Sequence, residues 1–254
     1  MCRTSLLQTK SMLLCVAAVA VLPSVGKYDC VRTAPFHPSI HNMGNVGYRG
    51  SVHASGAQMV TDLIDRVAYG GRNMRREVAS AMGSVYPSTH TVLEVGCGVG
   101  ALTRHLSTHF AHVDAVDTSE EMLKVARRRP LKGVQYEEGN GADVGGRSAD
   151  VAVCCMVFHE LPKSAHVEVL DAMLQSVARE GGDEETGTTG DVWIVDIDPA
   201  YQPSSPMLSG EPYVPDYLRE IETTLREVSE SRSATLRRMS IVKGHVCVWI
   251  LSAR

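Results

Sequence analysis

An α/β fold, with a mostly parallel doubly wound sheet and helices on both faces, is predicted by three observations. From Thr91 to Ile197 short β-branched and apolar runs alternate with helical stretches. One run, "ADVAVCCMVF" (149–158), is apolar nearly throughout, as a central strand buried on both faces must be. Two strand-like runs near the end, "SATLRRMS" and "HVCVWILS", are separated only by "IVKG". That connection is too short for a crossover helix, so they must form an antiparallel hairpin at one edge.

The elements follow in order. Between Ala57 and Met82, Met59, Leu63, Val67, Met74, Val78 and Met82 recur at helical intervals, interrupted by "YGGR", which predicts an N-terminal helical cap. "TVLEVG" is the first strand and "ALTRHLSTHF" the first covering helix. "AHVDAVD" is the second strand. "SEEMLKVARRR" is a helix with Ser119 as its N-cap and acids in its first turn. "GVQYEEG" makes the third strand and "ADVAVCCMVF" the fourth. "KSAHVEVLDAMLQSVARE" presents Val167, Leu170, Leu174 and Val177 on one helical face, and "DVWIVDI" is the fifth strand.

The 254 residues, 44% hydrophobic and 21% charged, suffice for one sizeable core. A net charge of −4 supplies no basic surplus, so nucleic acid is not an expected partner. Residues 1–26 read as a cleavable signal or organelle-targeting segment. Arg3 and Lys10 precede a short apolar run, Ser24 and Gly26 follow it, and the first acid is Asp29. The run is too short for a comfortable membrane span, so no span is expected after processing. A plastid or mitochondrion is the expected location, with the secretory pathway as the alternative. Residues 27–56, rich in Gly, Pro, His and Asn, read as a linker whose His37, His41 and His53 are loop residues, and 57–254 as the functional domain. Cys30, Cys97, Cys154, Cys155 and Cys247 form an odd set without C-x-x-C spacing, so buried free thiols are expected rather than disulfides or zinc.

The chemistry is concentrated at "TVLEVGCGVGALT" (91–103). Three glycines after the first strand bring backbone close to a ligand at the carboxyl end of the sheet. Gly96, Gly98 and Ala101 also satisfy the dinucleotide pattern G-x-G-x-x-A, so a nicotinamide or flavin oxidoreductase has to be weighed. Glu94 argues against it, because a carboxylate beside the turn repels a pyrophosphate and suits a ligand with a cationic amino-acid end. Asp117, ending the second strand about twenty residues beyond the glycines, is placed to accept hydrogen bonds from ribose hydroxyls; its other reading is a helix cap, for which Ser119 competes.

With these residues in view, the segment from about Thr91 to Asp198 resembles the class I S-adenosylmethionine-dependent methyltransferases of the small-molecule "type 11" group. "VLEVGCGVG", "VDTSEEML", "EEGNGAD" and "DVAVCCMVFHELP" carry the likeness, and Pro199–Leu218 resembles the matching region of plastid methyltransferases of plants and algae. The resemblance implies a Rossmann-like fold and S-adenosyl-L-methionine as cofactor. It puts Glu94, Gly96, Cys97, Gly98 and Gly100 along the methionine end and Asp117 on the ribose. Thr118 and Met122 would lie beside the adenine, Asn140 and Gly141 at its edge, and the backbone of Cys154 near the methionine moiety. The sequence departs from the family in a shortened third motif and in the acidic insertion "REGGDEETGTTG", read as a mobile surface loop.

His159 in "FHELP" faces the crevice after the fourth strand, either as general base or as an orienting residue. Glu160 is expected to be structural. The Asn/Asp-Pro-Pro-aromatic motif of many amide and adenine N-methyltransferases is absent, and Met156 and Phe158 stand where metal-dependent catechol-type O-methyltransferases want an acid. Asp196 and Asp198 therefore lack a partner carboxylate, and no metal is expected. Pro199–Leu218 reads as a lid or a rigid connector, and Tyr69 as a residue closing over the cofactor. The expected activity is methyl transfer to a small organic acceptor; the alternatives are a protein methyltransferase and an assembly factor that retains the cofactor site.

Overall fold

A computed structural model describes residues 47–177 and 190–253. The leader, Cys30, most of the linker and all of the acidic insertion but Gly190 lie outside the described residues. The chain runs through α1 (Gly47–Val67), α2 (Met74–Val85), β1 (Thr91–Val95), α3 (Thr103–Leu106), β2 (His112–Asp117), α4 (Glu120–Ala126), β3 (Val134–Glu138), β4 (Val151–Cys155), α5 (Lys163–Val177), β5 (Asp191–Ile197), α6 (Ser205–Gly210), α7 (Val214–Ser231), β6 (Thr235–Val242) and β7 (Val246–Ser252). Short 3-10 turns at Gly141–Gly146 and Phe158–Glu160 follow β3 and β4.

The seven strands are ordered β3-β2-β1-β4-β5-β7-β6. All pairs from β3 to β5 are parallel, whereas β7 runs antiparallel to both β5 and β6. The sheet is thus Rossmann-like and doubly wound, with the expected C-terminal hairpin at one edge. The order reverses between β1 and β4, and ligands of open α/β sheets bind in the crevice beyond the strand ends at such a point. One face of the sheet packs against α5 and α7 through Leu93, Cys154, Ile194 and Trp249. The other packs against α2 and α3 through Val92, Val153, Trp193 and Val248. Cys97, Cys154, Cys155 and Cys247 are free and buried, as expected.

Four expectations change in detail. Helix α1 begins at Gly47, inside the stretch read as linker. Its apolar stripe is not core: Met59, Leu63 and Val67 are exposed, whereas Met74, Val78 and Met82 of α2 are fully buried. The inward side of α1 is small or polar, with Ala54 and Asp65 buried and Gln58 accepting a hydrogen bond from Arg104. In α5, Val167 is likewise exposed while Leu170, Leu174 and Val177 are buried. The Pro-rich stretch after β5 is largely helical. Ser204 caps α6, and Pro206 and Pro215 occupy the first turns of α6 and α7, where a missing N–H costs nothing. Among the described residues no helix is long and apolar enough to cross a membrane.

Candidate active site

The glycine turn after β1 is held in a left-handed backbone, with φ of 75°, 53° and 77° at Gly96, Gly98 and Gly100. At Gly96 a side chain would meet Val157 at 2.4 Å, so this glycine lets the turn lie against the segment after β4. At Gly98 a Cβ would point into open space; the strained turn, rather than a neighbour, requires glycine there. The Gly98 N–H donates to Asp117 Oδ2 at 2.7 Å and the Ser119 N–H to Oδ1 at 2.8 Å. Asp117 thereby ties the glycine turn to the start of α4, while the capping of α4 falls to Ser119 through Met122 N–H. An ionised carboxylate has about four lone-pair sites, so both oxygens can still accept from a ligand. Burial raises the Asp117 carboxyl to about 6 in spite of these two donors.

Glu94 lies within β1 and is almost fully buried. Burial pushes its carboxyl up to about 8, against the pull of Thr103 and Arg75. Its Oε2 has no hydrogen-bond partner among the described residues. A buried acceptor left in this state calls for a donor, and for a cationic one if it is to ionise. Asp65, on the inward side of α1, is buried with both carboxylate oxygens in the same condition; its carboxyl is also raised by burial, against Arg75 and Arg104.

The remaining predicted cofactor residues surround this turn. Cys97 is buried against Ala115 and Leu123, Met122 is buried, and Thr118 is partly exposed. Asn140 accepts from Ala142 N–H at 2.9 Å and so caps the 3-10 turn. Gly141 leaves no room for a Cβ, which would stand 2.7 Å from Val95 and 3.3 Å from Val169. Cys154 pairs with Val95 on one side and Ile194 on the other, so its thiol belongs to the core and only its backbone nears the crevice.

Beyond β4 the chain turns sharply: Met156 takes a left-handed φ of 60°, uncommon for a non-glycine residue. His159 follows, only 5% exposed. Its Nδ1 lies 2.6 Å from Asp196 Oδ1, and Asp196 is held in turn by the N–H groups of Ile197 and His159 at 2.7 and 3.3 Å. An ionised Asp196 makes Nδ1 the donor and leaves Nε2 as the free acceptor when the ring is neutral. Nε2 faces Glu160 Oε1 at 3.9 Å, and Glu211 closes the group, one ligand atom from each residue lying within 4.8 Å of the others. The edge of Tyr217 meets the His159 ring at 6.2 Å between centroids.

The fold is similar to those of solved methyltransferase structures. It resembles the plantazolicin methyltransferase BpumL in complex with SAH (15% identity, TM-score 0.56, 81% of this chain and 90% of that one). It also resembles a SAM dependent methyltransferase from Aquifex aeolicus (18% identity, TM-score 0.56, 79% and 98%). At these identities the likeness is one of fold. Residues 92–182 match the family described as a methyltransferase domain. Over that segment, about a third of its length, the chain is similar to methyltransferase domains. Among curated relatives, the domain is 33% identical over 123 residues to a dTDP-3-amino-3,6-dideoxy-alpha-D-glucopyranose N,N-dimethyltransferase of Streptomyces fradiae, covering 47% of this chain and 48% of that protein. It is 32% identical over 83 residues to a ubiquinone biosynthesis O-methyltransferase of Paraburkholderia xenovorans, covering 30% and 36%. The chain thus spans about half or less of the curated relatives it matches.

Several residues of the candidate site lie outside the set read from the sequence. Asp196, expected to stand alone, is the partner of His159, while Asp198 pairs with Arg238 at 2.9 Å. Glu160 belongs to the His159 cluster instead of serving only the next helix. Glu211 enters from the stretch read as a lid, at the end of α6. Tyr69 packs edge-on against His245, at 6.0 Å between centroids.

Proposed function

We propose that the protein transfers a methyl group from S-adenosyl-L-methionine to a small organic acceptor. The observation that carries this reading is the buried Glu94 acceptor beside a glycine turn tied to Asp117: an acidic cradle suits a cofactor with an ammonium and a sulfonium and no phosphate. Glu94 and the backbone of Gly96, Cys97, Gly98, Gly100 and Cys154 would hold the methionine end. Asp117 would hold the ribose, and Thr118, Met122, Asn140 and Gly141 the adenine. When bound, the cofactor supplies an electrophilic methyl group. His159 would accept the acceptor's proton, with Asp196 fixing its tautomer. The methyltransferase domain match supports the reading, as do a relative named for an amino sugar and another for ubiquinone biosynthesis. An organelle address is part of the same proposal and rests on the acid-free leader.

The test is calorimetry of the pure protein with S-adenosylmethionine, S-adenosylhomocysteine and NAD. Binding of the first two is expected; preference for NAD overturns the proposal.

Two further results are expected. Asp117→Ala should weaken cofactor binding about ten- to a hundredfold, the loss of charge-assisted bonds of roughly 1.5–3 kcal/mol. Unchanged affinity with a lowered Tm would make Asp117 only a structural tie. Glu94, raised to about 8, is mostly protonated at pH 7 in the free protein. A cationic ligand lowers that pKa, so cofactor binding at pH 7 should release a proton, read as a dependence of the binding heat on the buffer's ionisation enthalpy. Glu94→Gln should abolish the release. A raised carboxyl also contributes stability below its unfolded pKa near 4.5 and loses it as pH rises through 8, so the free protein's Tm should fall over that range, and fall less in Glu94→Gln.

A further inference from the structure

We infer that the methyl acceptor is an amine, captured as its ammonium by Glu160 and Glu211 beside His159. This deepens the proposed function and rests on it.

The cluster is assembled from three separate segments. His159 and Glu160 come from the 3-10 turn after β4, Asp196 from the end of β5, and Glu211 from the end of α6. His159, Asp196 and Glu211 are all buried, and Glu160 partly so. Three carboxylates therefore surround one imidazole in a place from which water is largely excluded, an arrangement that favours a cation. The Asp196 bond at 2.6 Å uses Nδ1, so a neutral ring offers its remaining nitrogen as an acceptor toward Glu160 and Glu211.

An ammonium and a metal ion ask for different spacings. Acceptors about 2.9 Å from a tetrahedral nitrogen stand about 4.7 Å apart, whereas ligands about 2.1 Å from a tetrahedral zinc stand about 3.4 Å apart. The His159–Glu160 pair is at 3.9 Å and all three ligand atoms lie within 4.8 Å of one another. The 3.9 Å pair falls between the two spacings, so either ion would need the group to adjust, and Zn2+ is the competing occupant.

The reaction balances on these residues. The ammonium gives one proton to Nε2, and rotation about its C–N bond turns the freed lone pair toward the sulfonium methyl. The N–C bond forms as the C–S bond breaks, the bonding pair passes to sulfur, and the products are an N-methylammonium and a neutral thioether. Glu160 and Glu211 hold the positive charge throughout, and the cluster adjoins the cofactor site because Val157, two residues before His159, touches Gly96.

The experiment measures the Tm and calorimetric response of the full chain, saturated with S-adenosylhomocysteine, to n-propylamine, n-propanol and Zn2+. Saturable binding of propylamine, at least tenfold tighter than propanol and weakened about tenfold by Glu211→Gln or Glu160→Gln, is expected. Unchanged affinity of each variant for S-adenosylhomocysteine shows that it is folded. Equal binding of amine and alcohol overturns the inference, as does stoichiometric Zn2+ binding that the amine does not displace. Failure of S-adenosylhomocysteine to bind at all would instead overturn the proposed function.

Discussion

His159→Ala is expected to lower turnover about a hundredfold or more, the usual contribution of a general base, with cofactor affinity near that of the parent. The ring is buried, and Asp196 fixes the tautomer whose Nε2 faces Glu160. Its pH dependence is the sharper readout. Burial lowers the imidazole pKa, but the charge and hydrogen bond of Asp196, with Glu160 and Glu211, outweigh it and raise the value to about 9. Tyr217, whose ring edge meets His159 from α7, brings no charge at these pH values. Only the neutral ring accepts a proton, so the rate should rise with pH through about 9 rather than through the ordinary 6.5. Asp196→Asn should move the inflection downward and cost turnover as well. A flat profile, with His159→Ala acting mainly on KM, would leave a site that works by proximity alone.

Gly96→Ala is expected to destabilise the protein by roughly 2–5 kcal/mol. Part is the left-handed backbone, φ 75°, which costs an L side chain roughly 1–2 kcal/mol. The remainder is overpacking against Val157, 2.4 Å from the new Cβ, typically about 1–3 kcal/mol. The double variant Gly96→Ala, Val157→Ala should recover the second part and not the first. Urea denaturation of the parent, both single variants and the double variant measures this. Strict additivity would mean that the two segments do not touch in solution.

Much of this site was legible because its parts are local in sequence. Glu94, the glycines and Asp117 sit at the ends of adjacent strands, and strand-end residues of a parallel sheet gather in one crevice whatever the packing around them. The His159 cluster was only half legible. Asp196 stands 37 residues away, and nothing in either local pattern says that β4 and β5 are neighbours ending level. Helix α7 is written in the sequence as well: Tyr217, Ile221, Leu225 and Val228 are buried at helical spacing, and the proline before them is at home in a first turn. The apolar pattern of α1 misleads, since helical periodicity shows that a stripe exists and not that anything covers it.

The position of β7 has a consequence for biosynthesis. Strand β5 pairs with β4 on one side and with β7 on the other, and β7 ends at Ser252. As the polypeptide emerges from the ribosome, β1 to β5 can join while the far side of β5, seven residues rich in Val and Ile, still has no neighbour. That open edge persists until some fifty further residues have been made, and an uncovered apolar strand edge is a template for wrong pairing. Release of a truncated product lacking β7 should therefore yield aggregates rather than a smaller folded protein, because β7 is what covers β5 and joins it to β6.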